Sequence, residues 1–390
     1  MGPLRVGGAS VIGLYVHVPY CAVRCTYCDF YLVPGRGRDL SAYVEALCSE
    51  ILAVGREFPG RAADTAHFGG GTPSLLSASS LAAVIERLRS AFTLALDAEI
   101  TLEANPEDLD RERLLGYAAA GVNRLTIGVQ SLDDHLLRLM RRPHDARQAM
   151  ASVAVAKRSP LRSVGVDLIL GMPGQERGPA LAAIARLADL DVDHVSLYLL
   201  EVHGKTRLGK DLALGRRAPM DDDEAARLYE EAADLLEGRG FGHYEISNFA
   251  RPGHRSRHNL KYWTNQEYLG FGPSAHSYVG DRRWANASDL RSYLACRGEG
   301  CGRVEDDRSR GQRAIEALLA GLRLAEGVEL ADLHARYGPD FVPPDEAVVR
   351  SMADADLLEC GAGRLRLTRH GRLVSNEVLE RLLPRAPQLI

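Results

Sequence analysis

Leu14-Tyr15-Val16-His17-Val18-Pro19-Tyr20-Cys21-Ala22-Val23-Arg24-Cys25-Thr26-Tyr27-Cys28-Asp29-Phe30 decides how the rest of the chain is read. Its first half is apolar and β-branched, the pattern of a short buried strand. A loop follows with cysteines at 21, 25 and 28, a C-x3-C-x2-C spacing. Compact cysteine runs hold iron–sulfur clusters through their thiolates. Three thiolates can take three irons of a 4Fe–4S cube and leave the fourth open for a substrate or cofactor. Zinc and disulfides are the alternatives. A structural zinc takes four ligands, typically in two pairs, and no second pair lies close by. Disulfide frameworks belong to small secreted chains, and this chain is neither small nor visibly secreted.

Composition narrows the class. The chain has 390 residues, 46% of them hydrophobic, which is enough for a large core and more than one average domain. A net charge of −4 leaves no global basic footprint for nucleic acid. No stretch is apolar for the length of a membrane span. The opening residues Met1 to Val6 lack the apolar region and cleavage site of a signal peptide. The seven cysteines are an odd number. These features point to a reducing cytoplasm.

Downstream, a Gly/Pro/Arg linker spans Pro34 to Arg38, and Asp39 is placed to cap a helix carrying Tyr43, Leu47, Ile51 and Val54 at helical spacing. Cys48 reads as a buried structural thiol on that helix. Ala66-His67-Phe68 reads as a strand end entering the turn Gly69-Gly70-Gly71-Thr72-Pro73. Glycines let a backbone approach a ligand and offer bare N–H and C=O groups. A helix from about 79 to 92 follows. Strands are expected at 99–103, 123–130, 164–170 and 194–200. Helices are expected at 108–120, 133–140, 145–158 and 179–189. Six alternations of strand and helix argue for a parallel α/β barrel or partial barrel. Tyr15, the cysteine loop, Gly70 to Thr72, Glu103, Gln130 and Asp167 fall in or at the C-terminal ends of its strands. In a β/α barrel that end carries the active site. A charge late in a buried strand is costly without a partner or ligand.

Beyond residue 205 the pattern changes. An acidic amphipathic helix covers 221–238. Residues 241–278 then gather His243, His254, His258 and His276 among aromatics and glycine-rich turns. Imidazole ligates haem iron and aromatics suit a flat macrocycle; a packed aromatic subdomain with hydrogen-bonded histidines is the other reading. Residues 296–311, with Cys296 and Cys301, read as an exposed loop. The last 80 residues show helical patterns at 313–324, 329–336 and 345–357 and a strand-like Arg364 to Leu367, a winged-helix-like module without a clustered basic recognition helix.

The combined motifs resemble the radical-SAM superfamily, and within it the branch of oxygen-independent coproporphyrinogen III dehydrogenase and the HemW haem chaperones. They are Tyr15 to Cys28, Gly69 to Pro73, Glu103-Ala-Asn-Pro106, Gly128-Val-Gln-Ser131, Arg141-Arg-Pro-His144, Val166 to Pro173 and Tyr244-Glu-Ile-Ser-Asn248. The resemblance covers roughly Leu14 to Leu383. It implies an α/β fold: a partial (β/α)6 barrel with a C-terminal mixed, mainly helical, winged-helix-like domain. The units would be a core at 6–240, a His/aromatic-rich haem-associated segment at 241–300 and the C-terminal domain at 301–390. It implies that Cys21, Cys25 and Cys28 ligate a 4Fe–4S cluster. Tyr15, Gly70, Gly71, Thr72 and Glu103 match positions that contact S-adenosylmethionine, and Tyr27, Gln130, Arg142 and Asp167 match further positions lining the site.

Two features separate the branches. The dehydrogenase has a fourth cysteine two residues after the third, and Phe30 stands there in this chain. His258-Asn-Leu-Lys-Tyr262-Trp263 fits the HNxxYW pattern associated with the chaperones. The resemblance therefore implies a protein that binds haem at or around His258, with Tyr262 and Trp263 nearby, and passes it to an acceptor protein. An electron donor would serve the cluster, and any peripheral membrane contact would run through the acceptor. The alternative is a dehydrogenase that cleaves S-adenosylmethionine to a radical and oxidatively decarboxylates coproporphyrinogen propionates. A radical enzyme with an unrelated substrate is a third option.

Overall fold

The computed structural model describes residues 5–6, 9–34, 40–297 and 302–383. The linker residues 35–38, the expected cap Asp39 and Cys301 lie outside them.

Six strands run parallel and in chain order: β1 (Ile12–Val18), β2 (Ala62–Gly70), β3 (Thr93–Ala104), β4 (Arg124–Gln130), β5 (Ser163–Leu170) and β6 (His194–Leu199). The helices between them are α1 (Ser41–Glu57), α2 (Ala78–Ala91), α3 (Arg111–Ala120), α4 (Asp134–Met140), α5 (Ala146–Lys157) and α6 (Arg177–Ala188). Asp110, Asp133 and Asp145 start α3, α4 and α5 by accepting backbone N–H groups, the usual N-cap bond.

A parallel sheet covered on both faces normally reads as unbroken apolar runs. These strands alternate instead. In β4, Leu125, Ile127 and Val129 join the core that packs under the helices. The intervening Arg124, Thr126 and Gln130 fall on the other, concave face. The same period of two puts Thr65 and His67 of β2, Glu99 and Glu103 of β3 and Asp167 of β5 on that concave face. The barrel interior is polar, and the helix side holds the hydrophobic core.

Residues 241–297 join the sheet at both of its edges. Strands β7 (Gly242–Glu245) and β8 (Asn248–Ala250) extend the sheet antiparallel beyond β6. Helix α7 (Arg207–Ala213), α8 (Asp222–Glu237) and α9 (Arg257–Trp263) lie around this turn of the chain. At the opposite edge β9 (Tyr268–Phe271) pairs in parallel with β1, followed by antiparallel β10 (His276–Val279), β11 (Arg282–Asn286) and β12 (Arg303–Glu305). One sheet of 12 strands results, in the order β7-β8-β6-β5-β4-β3-β2-β1-β9-β10-β11-β12. Open barrel edges expose unpaired backbone groups, and this segment covers both.

The edge at β9 is tied down by a buried carboxylate. Glu50 of α1, 5% exposed, accepts from Gly272 N at 2.7 Å, Asn286 Nδ2 at 2.6 Å and Tyr293 OH at 2.7 Å. Burial pushes its pKa up to about 7 against these three hydrogen bonds.

The C-terminal unit has its own core around Leu318, Leu322, Leu333, Phe341 and Met352. Helix α10 (Leu290–Ala295) packs in the main core through Leu290 and Tyr293; the C-terminal unit holds α11 (Arg310–Leu322), α12 (Leu330–Tyr337) and α13 (Glu346–Asp354), with a small antiparallel sheet of Val328–Glu329, Leu358–Gly361 and Arg364–Leu367. It is mainly helical with a β-hairpin, as expected from its sequence. Among the described residues no helix is long and apolar enough to cross a membrane.

Candidate functional site

The cysteine loop leaves the C-terminal end of β1 and lies over the barrel mouth. Cys21 is buried, and Cys25 and Cys28 are partly exposed. Burial pushes the Cys21 thiol up to about 11, opposed by a 3.3 Å hydrogen bond from Thr72 Oγ1. Burial also raises the Cys28 thiol. Coordination to a cation deprotonates a thiol outright, so these values do not oppose cluster binding. Among the described residues no three His, Cys, Asp or Glu side chains converge as a site for a single metal ion. A cube differs, because each thiolate takes its own iron.

The glycine turn has a structural reason that its sequence did not reveal. Gly71 N donates to Val18 O at 2.8 Å and Thr72 N to Tyr20 O at 2.7 Å. A Cβ on Gly71 would sit 2.6 Å from Tyr20 O and 2.7 Å from Val18 O. The turn is thus pressed backbone to backbone against the root of the cysteine loop. Gly70, at φ +101°, adopts the left-handed conformation that side chains rarely take.

The other expected cofactor contacts line the same mouth. Glu103 is bonded to His67 Nε2 at 2.9 Å, and its side chain is 39% exposed. Arg142 donates to Asn105 Oδ1 at 2.6 Å and to Gly128 O at 2.8 Å, and its Nη1 lies 3.6 Å from Cys25 Sγ. Burial opposes the Arg142 charge, but Tyr27, Cys25 and Glu107 outweigh it and raise its pKa. Burial raises Tyr27 as well, with the Cys25 charge adding to it. Gln130 sits at φ 66°, in the left-handed region at the end of β4. Its Oε1 and Asp167 Oδ1 are buried without a hydrogen-bond partner. Burial, then the Glu103 charge, push Asp167 up to about 7. Tyr15 lies deeper, its hydroxyl 3.1 Å from His17 Nδ1. Buried polar atoms without partners are rare in folded proteins and call for explanation. Gln130 and Asp167 fit an occupant with hydroxyl and amino groups.

The four histidines of 241–278 are not brought together. His258 is fully buried on α9, inside the barrel below the mouth. Its Nδ1 is 2.8 Å from Thr65 Oγ1 and its Nε2 is 2.8 Å from Tyr262 OH. Burial holds its pKa well below the usual value, helped by His67 and Lys261. Both ring nitrogens are engaged, so the ring does not present a lone pair to a ligand in this conformation. The reason is that α9 plugs the barrel floor: His258 N bonds Glu99 Oε1 at 3.0 Å and Lys261 Nζ pairs with Asp64 at 2.8 Å. Tyr262 and Trp263 are partly buried, and Trp263 Nε1 has no partner, under a guanidinium from Arg323. His243 stacks on Phe249 and faces Arg372, whereas His276 is exposed on β10.

Three positions escaped the sequence reading. Asn105 orients Arg142, and His67 orients Glu103. His144 closes the Arg141-Arg-Pro-His turn through Glu107 at 3.1 Å and Val129 O at 3.2 Å. Asn105 and His144 were visible inside quoted motifs. The pairing of His67 with Glu103 joins neighbouring strands and left no local signal.

An open parallel β/α sheet with a C-x3-C-x2-C loop and a glycine turn over its mouth defines a radical-SAM protein. The radical SAM superfamily model matches residues 15–187, and the HemN C-terminal domain model matches residues 309–374. The heme chaperone HemW of Mycobacterium tuberculosis (strain H37Rv) is 36% identical over 376 residues, covering 95% of this chain and 94% of that protein. Bovine radical S-adenosyl methionine domain-containing protein 1, mitochondrial, is 45% identical over 269 residues, 69% of this chain, and the chain spans 61% of that relative's length. The solved structure of Escherichia coli coproporphyrinogen III oxidase (HemN) shares the fold, with a TM-score of 0.82 at 23% identity over 95% of this chain and 90% of that one. The chain belongs to the HemW heme chaperone family of radical-SAM proteins.

Proposed function

We propose that this protein binds haem and hands it to an acceptor protein, with a 4Fe–4S cluster on Cys21, Cys25 and Cys28 and S-adenosylmethionine beside it. The observation that carries the reading is at the end of the cysteine loop. Phe30, 62% exposed, stands where the dehydrogenase resemblance has a cysteine, so the mouth offers an apolar contact in place of a further thiolate. The relatives named heme chaperones, similar along nearly the whole chain, support the same reading.

When bound, the cluster and S-adenosylmethionine supply one-electron chemistry at the mouth. The chain's own residues hold and orient. Thr72 hydrogen-bonds the Cys21 sulfur, and Arg142 keeps positive charge beside Cys25. The Glu103 carboxylate, fixed by His67, suits ribose hydroxyls. Gln130 Oε1 and Asp167 Oδ1 accept hydrogen bonds from the remaining polar groups. Tyr15 and Tyr27 wall the site. An electron donor would dock near the cysteine loop, and any membrane contact belongs to the acceptor. His258 braces the Tyr262 hydroxyl from inside the barrel floor.

Glu103→Ala is expected to weaken S-adenosylmethionine binding at least tenfold, about 1.4 kcal/mol, in calorimetry on cluster-reconstituted protein. An unaltered affinity would remove Glu103 from the site.

An anaerobic haem titration, followed by absorbance, tests the function itself. The wild type is expected to saturate at one haem. His258→Ala is expected to lose thermal stability, because Thr65 and Tyr262 each lose a buried partner. No saturable binding by the wild type would overturn the chaperone reading, and coproporphyrinogen turnover would then favour the dehydrogenase.

A further inference from the structure

Beside the cysteine loop lies a cavity of about 410 Å³ that none of the roles above uses. Four arginines line it: Arg138 and Arg141 at the end of α4, Arg207 at the start of α7, and Arg217 just after it. Asp211 is the one acidic residue in the lining. It already faces Arg216 at 3.1 Å and Arg207 at 3.8 Å. Among the described residues the guanidinium groups of Arg138, Arg141 and Arg217 have no ion pair or hydrogen bond. A chain of net charge −4 thus concentrates unneutralised positive charge in one concave place. Arg141 ends α4 in the left-handed C-cap conformation, φ 60°, which turns the chain out beside Arg138.

The rest of the lining is apolar or neutral: Leu139, Leu208 and Thr26. Leu208 and Leu139 belong to a small hydrophobic cluster with Leu136, Met140, Ile169 and Met172. Two exposed apolar residues, Phe30 and Val202, at 62% and 49%, lie on neighbouring loops that Asp29 and Lys205 tie together at 3.2 Å. Cationic forks above an apolar floor and rim suit a ligand that is flat and apolar with carboxylates at one edge. Guanidinium groups bind carboxylates bidentately, and the volume falls within the range of ligand pockets, about 300–1,000 Å³.

Resting on the haem-binding reading, we propose that this arginine cavity binds the propionate carboxylates of the tetrapyrrole and so fixes where haem sits. The cavity is bolted to the cysteine loop. Thr26 N donates to Met140 O at 3.1 Å, Thr26 Oγ1 to Leu139 O at 3.0 Å, and Leu208 N to Thr26 O at 2.9 Å. Thr26 lies between Cys25 and Cys28, so the end of α4 and the start of α7 are both hydrogen-bonded to the loop.

The test compares haem with haem dimethyl ester, whose carboxylates are blocked, on cluster-reconstituted wild type and on the triple variant Arg138→Gln, Arg141→Gln, Arg207→Gln. Wild type is expected to bind haem at least tenfold more tightly than the ester, with the difference shrinking as salt is added. The triple variant is expected to bind haem as weakly as the ester while retaining wild-type iron content. Equal wild-type affinity for haem and ester overturns the proposal without any variant. A correctly loaded variant that keeps full haem affinity also overturns it, and leaves the chaperone reading standing. Wild type that binds neither compound overturns both.

Discussion

Cys21→Ala, reconstituted anaerobically with iron and sulfide, is expected to return no more iron than a protein lacking the cysteine loop, and none of the brown absorbance. The cube needs all three thiolates, each on its own iron. Cys21 is the buried member and Cys25 and Cys28 are partly exposed, so removing it takes away the innermost anchor. The fold should survive. The side chain is small, and its one polar contact is the hydrogen bond from Thr72. Measuring iron by chelation and folding by circular dichroism on one preparation separates the two effects. Full iron content in a folded variant would defeat the assignment of the cluster to this loop.

Glu50→Ala is expected to destabilise the protein by roughly 3 kcal/mol in urea unfolding, the scale for leaving buried donors without their acceptor. Gly272 N, Asn286 Nδ2 and Tyr293 OH all lose their partner at once. The effect also carries a pH signature. Folding raises the Glu50 pKa from the ordinary glutamate value to about 7, so between those limits the folded state binds the extra proton. Wild-type stability therefore falls as pH rises through this window and levels off above it. The alanine variant should lack that contribution, and the gap between the two proteins should be widest at the acid end. A gap that is constant from pH 5 to pH 8 would mean that Glu50 is ionised throughout.

The cysteine spacing, the six strand–helix alternations and the order of motifs at strand ends were legible from the chain itself, because each is a local signal. Period two, period 3.6 and the distance between thiols along the backbone survive without tertiary context. The helix from Ser41 to Glu57 shows where such signals stop. Its apolar stripe was clear, yet Glu50 sits on the same buried face, and its reason lies more than 200 residues away at Gly272, Asn286 and Tyr293. Likewise His258 looked like an available ligand in its own hexapeptide. Thr65, from another strand, and the seating of α9 in the barrel floor decided that it is buried with both nitrogens bonded. The arginine cavity needs α4 and α7, some 70 residues apart, to meet over Thr26. The sequence alone determined which groups the protein owns and their order around the barrel. The tertiary structure decided which of them are free to act, because burial and hydrogen-bond partners are set by segments that meet only when the sheet is assembled.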